Sequence, residues 1–185
     1  MIGRSRLLSP ANGGPGARVI FIGEAPGRLG GDRTGVPFSG DQSGRNFERL
    51  LALAGLTRME VFITNAVLCN PRDAQGRNRG PSRRELAACG ELLGRQLAVV
   101  GAPVVVTLGA VALRAVGALA AHGLQLREAV GQPVPWQGRL LLPLYHPGLR
   151  AQLHRPFALQ RDDFLALGQL VQSLEEGTFA PNHAF

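Results

Sequence analysis

The sequence predicts an α/β fold, a three-layer α/β/α sandwich around a central four-stranded, mostly parallel sheet. Two observations support this prediction. Four short apolar runs alternate with segments whose apolar residues recur at helical spacing. Such apolar runs, without polar alternation, are typical of parallel strands that helices cover on both faces.

The first strand is predicted at residues 19–22 and the first helix at residues 43–54. The loop between them is rich in Gly, Pro and Asp and is longer than a simple connection, which favours a functional role. In an open α/β sheet, ligands bind beyond the carboxyl ends of the strands, and this loop begins at such an end.

A second strand is predicted at residues 60–64, followed by a polar, basic surface loop at 70–81. Ser82 and Glu85 then form a capping-box pattern, which indicates the start of a helix. One face of this helix carries the apolar residues Leu86, Cys89, Leu93, Leu97 and Val100.

The same alternation continues to the end of the sequence. A third strand is predicted at 103–108, a short helix at 109–116 and a fourth strand at 139–144. Residues 124–137 form an excursion with hairpin character. A final helix ends near Gly177, and its apolar positions are Phe157, Phe164, Leu167, Val171 and Leu174.

Length and composition indicate one globular domain. The chain has 185 residues, of which 45% are hydrophobic, and this is enough for a sizeable core. Residues 1–16 are rich in Gly, Pro and Ser and are expected to form a flexible N-terminal arm, with a single domain at 17–185. No apolar run reaches about 18 residues, so no membrane-spanning helix is expected. The N-terminus lacks an apolar signal core, which favours a cytoplasmic location, and we expect a monomer.

The charge of the chain suits an anionic partner. The net charge is +7, and all 20 basic residues are arginine. Nucleic acid is the obvious partner for such an excess, although an ordinary basic surface accounts for the charge equally well.

Cys69 and Cys89 are the only cysteines of the sequence. Two thiols supply neither a disulfide framework nor the four thiolates of a cubane iron–sulfur cluster. We interpret both as small buried apolar residues and predict no metal and no cofactor.

Polar residues follow three of the four predicted strands. Glu24, Asn65 and His146 stand directly after, or one residue beyond, an apolar run. Each of them alone has a structural interpretation, as a helix cap, a turn residue or a loop histidine. Because parallel strands end at one edge of the sheet, we expect the three side chains to share one crevice.

The chain resembles the uracil-DNA glycosylase superfamily, and most closely its branch typified by thermophile enzymes that carry an iron–sulfur cluster. The resemblance covers most of the chain and rests on four motifs in order: GEAPG at 23–27, DRTGVPFSG at 32–40, ITN at 63–65 and HPG at 146–148. It implies a three-layer α/β/α fold and an enzyme that flips a damaged nucleotide out of DNA and cuts its N-glycosidic bond.

The resemblance also implies roles for the residues around the base. Phe38 stacks on the flipped base, Asn65 reads its Watson–Crick edge, and Gly23 and Ala25 lie beside it. His146 donates a hydrogen bond to O2 as negative charge builds on the leaving base. Glu24 to Gly27 lie beside the base and the attacking water with backbone groups as donors, and Asp32 helps to orient the water.

Further residues are implied to contact DNA. Residues 147–150 resemble the loop that inserts beside the vacated stack, where Leu149 is the wedge, Arg150 lies near phosphate, and Pro147 and Gly148 complete the loop. Ser39 and Ser43 are candidate phosphate contacts at a helix start. Arg77 and Arg79 are predicted contacts because the chain departs from the family: Cys69 and Cys89 resemble half of a lost cluster site, and the loop between them, with Arg72, Arg77 and Arg79, is expected to contact DNA instead.

Two departures from the family pattern leave an alternative open. Gly31 stands where the family has an acidic residue before Asp32, and no cysteine pair precedes the first strand. The primary prediction is a monofunctional DNA glycosylase that acts on uracil or a related deaminated base in DNA. The alternative is a catalytically weak or inactive protein of the same fold that binds DNA or a damaged base. A nucleotide-binding module is disfavoured, because neither phosphate-binding glycine motif is present.

Overall fold

A computed structural model describes residues 6–178 of the protein. Its sheet consists of β1 (Val19–Gly23), β2 (Val61–Asn65), β3 (Val104–Leu108), β4 (Val134–Trp136) and β5 (Arg139–Leu144). The strands lie in the order β2-β1-β3-β5-β4. Strands β1, β2, β3 and β5 are parallel, and β4 runs antiparallel to β5 at the edge.

The predicted α/β class is confirmed, but the predicted count of four strands has to be corrected to five. Strand β4 lies in segment 124–137, for which the sequence predicts hairpin character. Trp136 pairs with Arg139 across a two-residue turn. Gln137 and Gly138 in this turn both have positive φ, of 50° and 71°, as in a type I′ turn. A three-residue strand that contains Pro135 is too short to show a periodic pattern.

Helices cover both faces of the sheet. The helices among the described residues are α1 (Gly31–Thr34), α2 (Gln42–Leu53), α3 (Arg83–Val100), α4 (Ala110–Leu119), α5 (Leu126–Ala129), α6 (Leu149–Gln152) and α7 (Phe157–Glu175). Val19 and Phe21 of β1 pack with α2 and α7, and the alternate residues Ile20 and Ile22 pack with α3 and α4. This alternation places two apolar cores on opposite faces, which gives the three predicted layers.

An aromatic cluster joins β1 to α2 and α7. The Phe21 ring lies 5.2 Å from that of Phe47 in an edge-to-face arrangement, and 5.9 Å from that of Phe164 in a stacked one. These centroid distances are in the favourable range for aromatic pairs. The cluster fixes α2, and with it the loop that precedes α2, relative to the first strand.

The expectation of a flexible arm has to be corrected for residues 7–13, because they pack against the domain. Leu7 is buried, and its backbone N–H donates to the carbonyl of Leu68 at 2.8 Å. The buried Asn12 side chain donates to the carbonyl of Ile63 at 2.7 Å. These contacts are distant in sequence, so composition alone does not reveal them. Residues 1–5 of the expected arm lie outside the described residues.

Within the described residues, no helix combines the length and the apolar character that crossing a membrane requires.

The contact between α7 and the end of α2 yields a stability prediction. A Cβ at Gly168 would lie 2.3 Å from the carbonyl oxygen of Ala54, so Gly168→Ala forces the helices apart. We expect it to lower the free energy of unfolding by about 1–3 kcal/mol, measured by urea denaturation.

Gly94→Ala in α3 is the matched control. Its Cβ would meet only the Leu119 side chain, at 3.8 Å, so the helix-propensity gain of about 0.5–1 kcal/mol should dominate. Equal stability of the two variants would contradict the proposed close approach of α7 to α2.

Candidate active site

A cavity of about 390 Å³ opens at the carboxyl edge of the parallel strands. The structure places eight of the sequence-predicted site residues in its lining: Glu24, Ala25, Phe38, Ser43, Asn65, Arg79, His146 and Arg150. They come from the ends of β1, β2 and β5, from the loop before α2, from the first turn of α2, from the basic loop and from α6. The parallel register explains this convergence, because Gly23 of β1 pairs with Asn65 of β2 at the same edge.

The side chains of Asn65 and Phe38 both approach the backbone closely at Gly23. A Cβ at this position would lie 2.5 Å from Asn65 Oδ1 and 3.0 Å from the Phe38 ring. Only glycine therefore lets the amide and the aromatic ring approach the strand end together. Within the described part of the chain, the Asn65 side chain has no hydrogen-bond partner, so its amide is free to bind a ligand.

Phe38 is held in a backbone conformation that side chains rarely adopt. Its φ is +48°, which is an outlier for a bulky residue. The Arg58 guanidinium stabilises this turn by donating to the carbonyls of Pro37 and Phe38 at 2.9 and 2.8 Å. The Phe38 ring lies 4.8 Å from the Phe47 ring and 5.5 Å from the His146 ring. The strained turn thus turns the aromatic ring toward the cavity.

The pKa and the hydrogen bond of His146 together indicate a neutral ring with its proton on Nε2. Loss of hydration lowers its pKa to about 4, and the nearby Asp41 carboxylate opposes this shift only in part. Nδ1 accepts a hydrogen bond from the backbone N–H of Gly148 at 2.9 Å. A neutral imidazole whose Nδ1 accepts has its proton on Nε2. The ring therefore presents an N–H donor that no other described group binds.

Two carboxylates lie in the cavity wall. Burial raises the pKa of Glu24, and Arg114 lowers it by a smaller amount. Asp41, which the sequence reasoning missed, also lines the cavity. It is the N-cap of α2, and its Oδ1 accepts from the N–H of Gly44 at 2.9 Å. Its position directly before the amphipathic helix is the signal that could have identified it, because Asp is a preferred N-cap.

The basic loop at 70–81 forms one wall of the cavity, and side-chain hydrogen bonds tie it to the loop after β1. The Asn70 side chain donates to the carbonyl of Pro26 and to Asn78 Oδ1, and Asn78 Oδ1 also accepts from the N–H of Arg28. Asn70 and Asn78 both line the cavity. Sequence reasoning did not identify them, because their partners lie about 50 residues away.

Asp32 does not line the cavity as the resemblance implies. Its carboxylate forms an ion pair with Arg72, and the cavity wall at this point is Gly31 instead. A Cβ at Gly31 would lie 2.8 Å from the Leu7 side chain. The N-terminal segment therefore fills the space where the family's acidic side chain would begin.

The remaining predicted DNA contacts do not line the cavity. Leu149 begins α6 and is 63% exposed, whereas Pro147 and Gly148, which precede it, are buried. The Ser39 hydroxyl is 2.6 Å from that of Thr34 and donates to the carbonyl of Val36.

The two arginines of the basic loop that are predicted to contact DNA both take part in ion pairs. Arg77 is 73% exposed and pairs with Asp73 at 2.8 Å. Arg79 makes two hydrogen bonds of 2.7 Å to Glu85 and lowers the pKa of that carboxyl to about 2. Both guanidiniums therefore have carboxylate partners, and any phosphate contact has to share or replace them.

The cysteines do not fit a four-thiolate cluster. Cys69 and Cys89 are both buried, and burial raises the pKa of the Cys69 thiol, with Cys89 adding to the shift. Within residues 6–178, no group of three or more His, Cys, Asp or Glu side chains is arranged to hold a metal ion. The expectation of a protein without an iron–sulfur cluster stays a prediction, and we assign no chemical step to such a cluster.

A parallel sheet with a polar cavity beyond the carboxyl ends of its strands defines the class: an α/β protein that binds its ligand at this edge. Within that class, the sequence model of the uracil DNA glycosylase superfamily matches residues 10–167. This match covers most of the chain, so the protein belongs to the uracil DNA glycosylase superfamily. The resemblance that the four motifs indicate is thereby confirmed.

The chain is similar to curated members of two types. A Type-4 uracil-DNA glycosylase of Thermotoga maritima is 36% identical over 131 residues, which are 70% of this chain and 64% of that protein. A Type-4 uracil-DNA glycosylase of Archaeoglobus fulgidus is 33% identical over 168 residues, which are 87% of this chain and 80% of that protein. A Type-5 uracil-DNA glycosylase of Thermus thermophilus is 37% identical over 74% of this chain and 67% of its own.

The lowered pKa of His146 gives a prediction about pH. We expect its ring to stay neutral down to about pH 4, whereas an ordinary histidine titrates near 6.5. As the pH falls through 6.5, the unfolded chain binds a proton that the folded protein does not, so the free energy of unfolding should decrease from about pH 6.5 toward 4.

The measurement is a two-dimensional ¹H–¹⁵N titration of the histidine rings, with His146→Ala for assignment. A midpoint near 6.5 for His146 would show that the imidazole is well hydrated and would contradict its enclosure.

Proposed function

We propose that this protein is a monofunctional DNA glycosylase of base-excision repair, which hydrolyses the N-glycosidic bond of uracil or a related deaminated base after the nucleotide is flipped out of DNA. The observation that carries the proposal is the meeting of three groups in one cavity. These are the Phe38 ring, the Asn65 amide and the Nε2–H of a neutral His146. The ring can stack on the face of a pyrimidine, the amide can pair with its Watson–Crick edge, and the N–H can stabilise the negative charge that develops as the base leaves.

Base recognition follows from the chemistry of Asn65 and Phe38. Uracil presents an N3–H donor beside an O4 acceptor, and an amide can accept from the first and donate to the second. The Phe38 ring offers a flat apolar surface for the face of the base. A wrong base leaves buried polar groups unpaired, which is a strong basis for discrimination. Gly23 and Ala25 leave room for the base at the end of β1.

His146 stabilises the leaving base. When the glycosidic bond breaks, its electron pair stays on the base, and negative charge builds on O2. A neutral imidazole with its proton on Nε2 donates a hydrogen bond to this oxygen. Because the N–H of a neutral imidazole is a very weak acid, the proton stays on the ring and the base leaves as an anion. The enclosed site strengthens this hydrogen bond because little water competes.

A carboxylate orients the water that attacks the sugar. Glu24 is the better candidate, because its raised pKa makes it a stronger base than an ordinary carboxylate. Asp41 has one oxygen occupied by the N–H of Gly44 and supports the site by its charge, which also favours a cationic sugar in the transition state. This assignment does not require Asp32, whose carboxylate pairs with Arg72.

Water, rather than a lysine amine, is the nucleophile in this proposal. The 185 residues contain no lysine, so no side-chain amine can form a Schiff base with the abasic sugar. This favours a glycosylase that leaves the DNA backbone intact. We further propose that the protein acts as a monomer in the cytoplasm and uses the domain predicted at 17–185, extended by the packed residues 7–13.

Several side chains are proposed to contact the opened duplex. Exposed Leu149 is the proposed wedge, and Arg150, which lines the cavity, and Ser39 and Ser43, near the start of α2, are proposed phosphate contacts. Arg77 and Arg79 extend the interface if DNA phosphates share them with Asp73 and Glu85.

The activity is tested by single-turnover cleavage of oligonucleotides that contain one uracil, hypoxanthine, xanthine or mismatched thymine, with alkali used to reveal abasic sites. Alkali-dependent strand breaks at uracil would support the proposal. Binding to the same DNA without abasic-site formation would overturn it in favour of an inactive binding protein.

His146→Ala should slow uracil release by about 10²–10³-fold, because it removes one preorganised donor to the leaving base. Binding to DNA that carries an uncleavable uracil analogue should change little. The measurement is a single-turnover rate together with a binding titration.

His122→Ala is the matched control for this variant. Its Nδ1 accepts from the N–H of Leu124 at 2.9 Å, as His146 accepts from Gly148, but its Nε2 bonds to the Leu113 carbonyl away from the cavity. Similar rates for both variants would remove His146 from the mechanism.

Asn65→Asp should lose most activity on uracil and gain a trace on cytosine. The aspartate has two acceptors and no donor for O4, and one of its oxygens suits the amino group of cytosine. Single-turnover rates on matched uracil and cytosine strands provide the measurement. Full uracil activity in the variant would mean that Asn65 is a structural residue and that another group reads the base.

A further inference from the structure

A chain of hydrogen bonds leads from the surface of α2 to the loop that carries His146. Arg45 donates to Gln42 Oε1 at 2.8 Å, and Gln42 Nε2 donates to Asn46 Oδ1 at 2.8 Å. Asn46 Nδ2 then donates to the carbonyl of Pro147 at 2.8 Å. Asn46 is only 3% exposed, and both ends of its amide are used.

The direction of this chain is fixed at both ends. Arginine has only donors, so Gln42 has to turn its oxygen toward Arg45 and its nitrogen toward Asn46. A backbone carbonyl only accepts, so Asn46 has to turn its nitrogen toward Pro147. The two requirements agree, and this agreement determines the orientation of both amides.

A second buried amide holds the same loop from α7. Gln160 Nε2 donates to the carbonyl of Arg155 at 2.9 Å and to that of His146 at 3.4 Å. The carbonyls of His146 and Pro147 are therefore held by side chains from two helices, α7 and α2. The Pro147 carbonyl belongs to the same planar peptide unit as the Gly148 N–H, so the hydrogen bond from Asn46 also fixes the direction in which that N–H reaches His146 Nδ1.

The space around this turn is small. A Cβ at Gly148 would lie 2.9 Å from His146 Nδ1 and 3.0 Å from Ser43 Oγ. A side chain at position 148 therefore has no room, and the turn is closely packed against the ring. Release of the Pro147 carbonyl frees its peptide unit to rotate or to move away from the ring. Such movement breaks the Gly148-to-Nδ1 hydrogen bond, and with it the preference for the proton on Nε2.

We propose that Asn46 is a positioning residue, which holds the Pro147 carbonyl so that the Gly148 N–H keeps the His146 proton on Nε2, where it faces the leaving base. The inference rests on the proposed function only for the role of that proton in catalysis. The link from Asn46 to the tautomer of His146 stands on the hydrogen bonds alone and can be tested without any substrate.

The first test is Asn46→Asp, which sets an acceptor against the Pro147 carbonyl in a side chain of the same shape. We expect the ¹⁵N shifts of the His146 ring to move from the pure Nε2–H tautomer toward a mixture. Gln42→Ala, which removes the support at a half-buried position, should cause a smaller shift of the same kind and remains readable if Asn46→Asp does not fold.

Asn12→Asp is the matched control. Asn12 is also buried and donates to a backbone carbonyl, that of Ile63, at 2.7 Å. It should lower thermal stability without changing the His146 shifts. Unchanged shifts in Asn46→Asp and Gln42→Ala would overturn the inference, as would equal shifts in Asn12→Asp.

The second test is kinetic. Asn46→Asp should slow uracil release by on the order of 10²-fold, as expected for a small misplacement of a catalytic group, and leave DNA affinity unchanged. In the His146→Ala background the same substitution should have no further effect, because the two residues act in one unit. An undiminished effect in that background would overturn the inference. A protein without glycosylase activity would refute the proposed function, and the ring shifts would still decide the role of Asn46.

Discussion

The site depends on the parallel register of the central strands. Because β1, β2 and β5 run in the same direction, their carboxyl ends bring Gly23, Asn65 and His146 to one edge, although these residues are up to 123 positions apart in the sequence. The apolar cores on both faces of the sheet set this register, since a slip by one residue would turn each strand's side chains to the opposite face.

Side-chain hydrogen bonds fix each of the loops that follow the strands. Arg58 holds the turn at Phe38, Asn70 and Asn78 tie the basic loop to the loop after β1, and Asn46 holds the loop after His146. In each case a donor satisfies backbone or side-chain oxygens that a loop would otherwise expose to water. Functional groups on loops thus gain the rigidity that is normally found within strands and helices.

Local patterns are sufficient to predict the layers of the fold, and together with the family resemblance they predict eight of the residues that line the cavity. Asn65 and His146 were found because a polar residue after an apolar run marks a strand end. Asp41 was overlooked because an N-cap and a cavity carboxylate look the same in sequence. Strand β4 was missed because three residues that include a proline carry no period. Leu7 and Asn70 depend on partners distant in sequence, and a single sequence holds no record of such partners.

The packing of Leu7 against Gly31 has a practical consequence for handling the protein. The cavity wall includes a residue close to the amino end of the chain, tied down by one backbone hydrogen bond to Leu68 and by burial. Any change that displaces Leu7 from Gly31 therefore changes the shape of the cavity. A label on an exposed side chain of α3 such as Arg95, which does not line the cavity, leaves this wall unchanged.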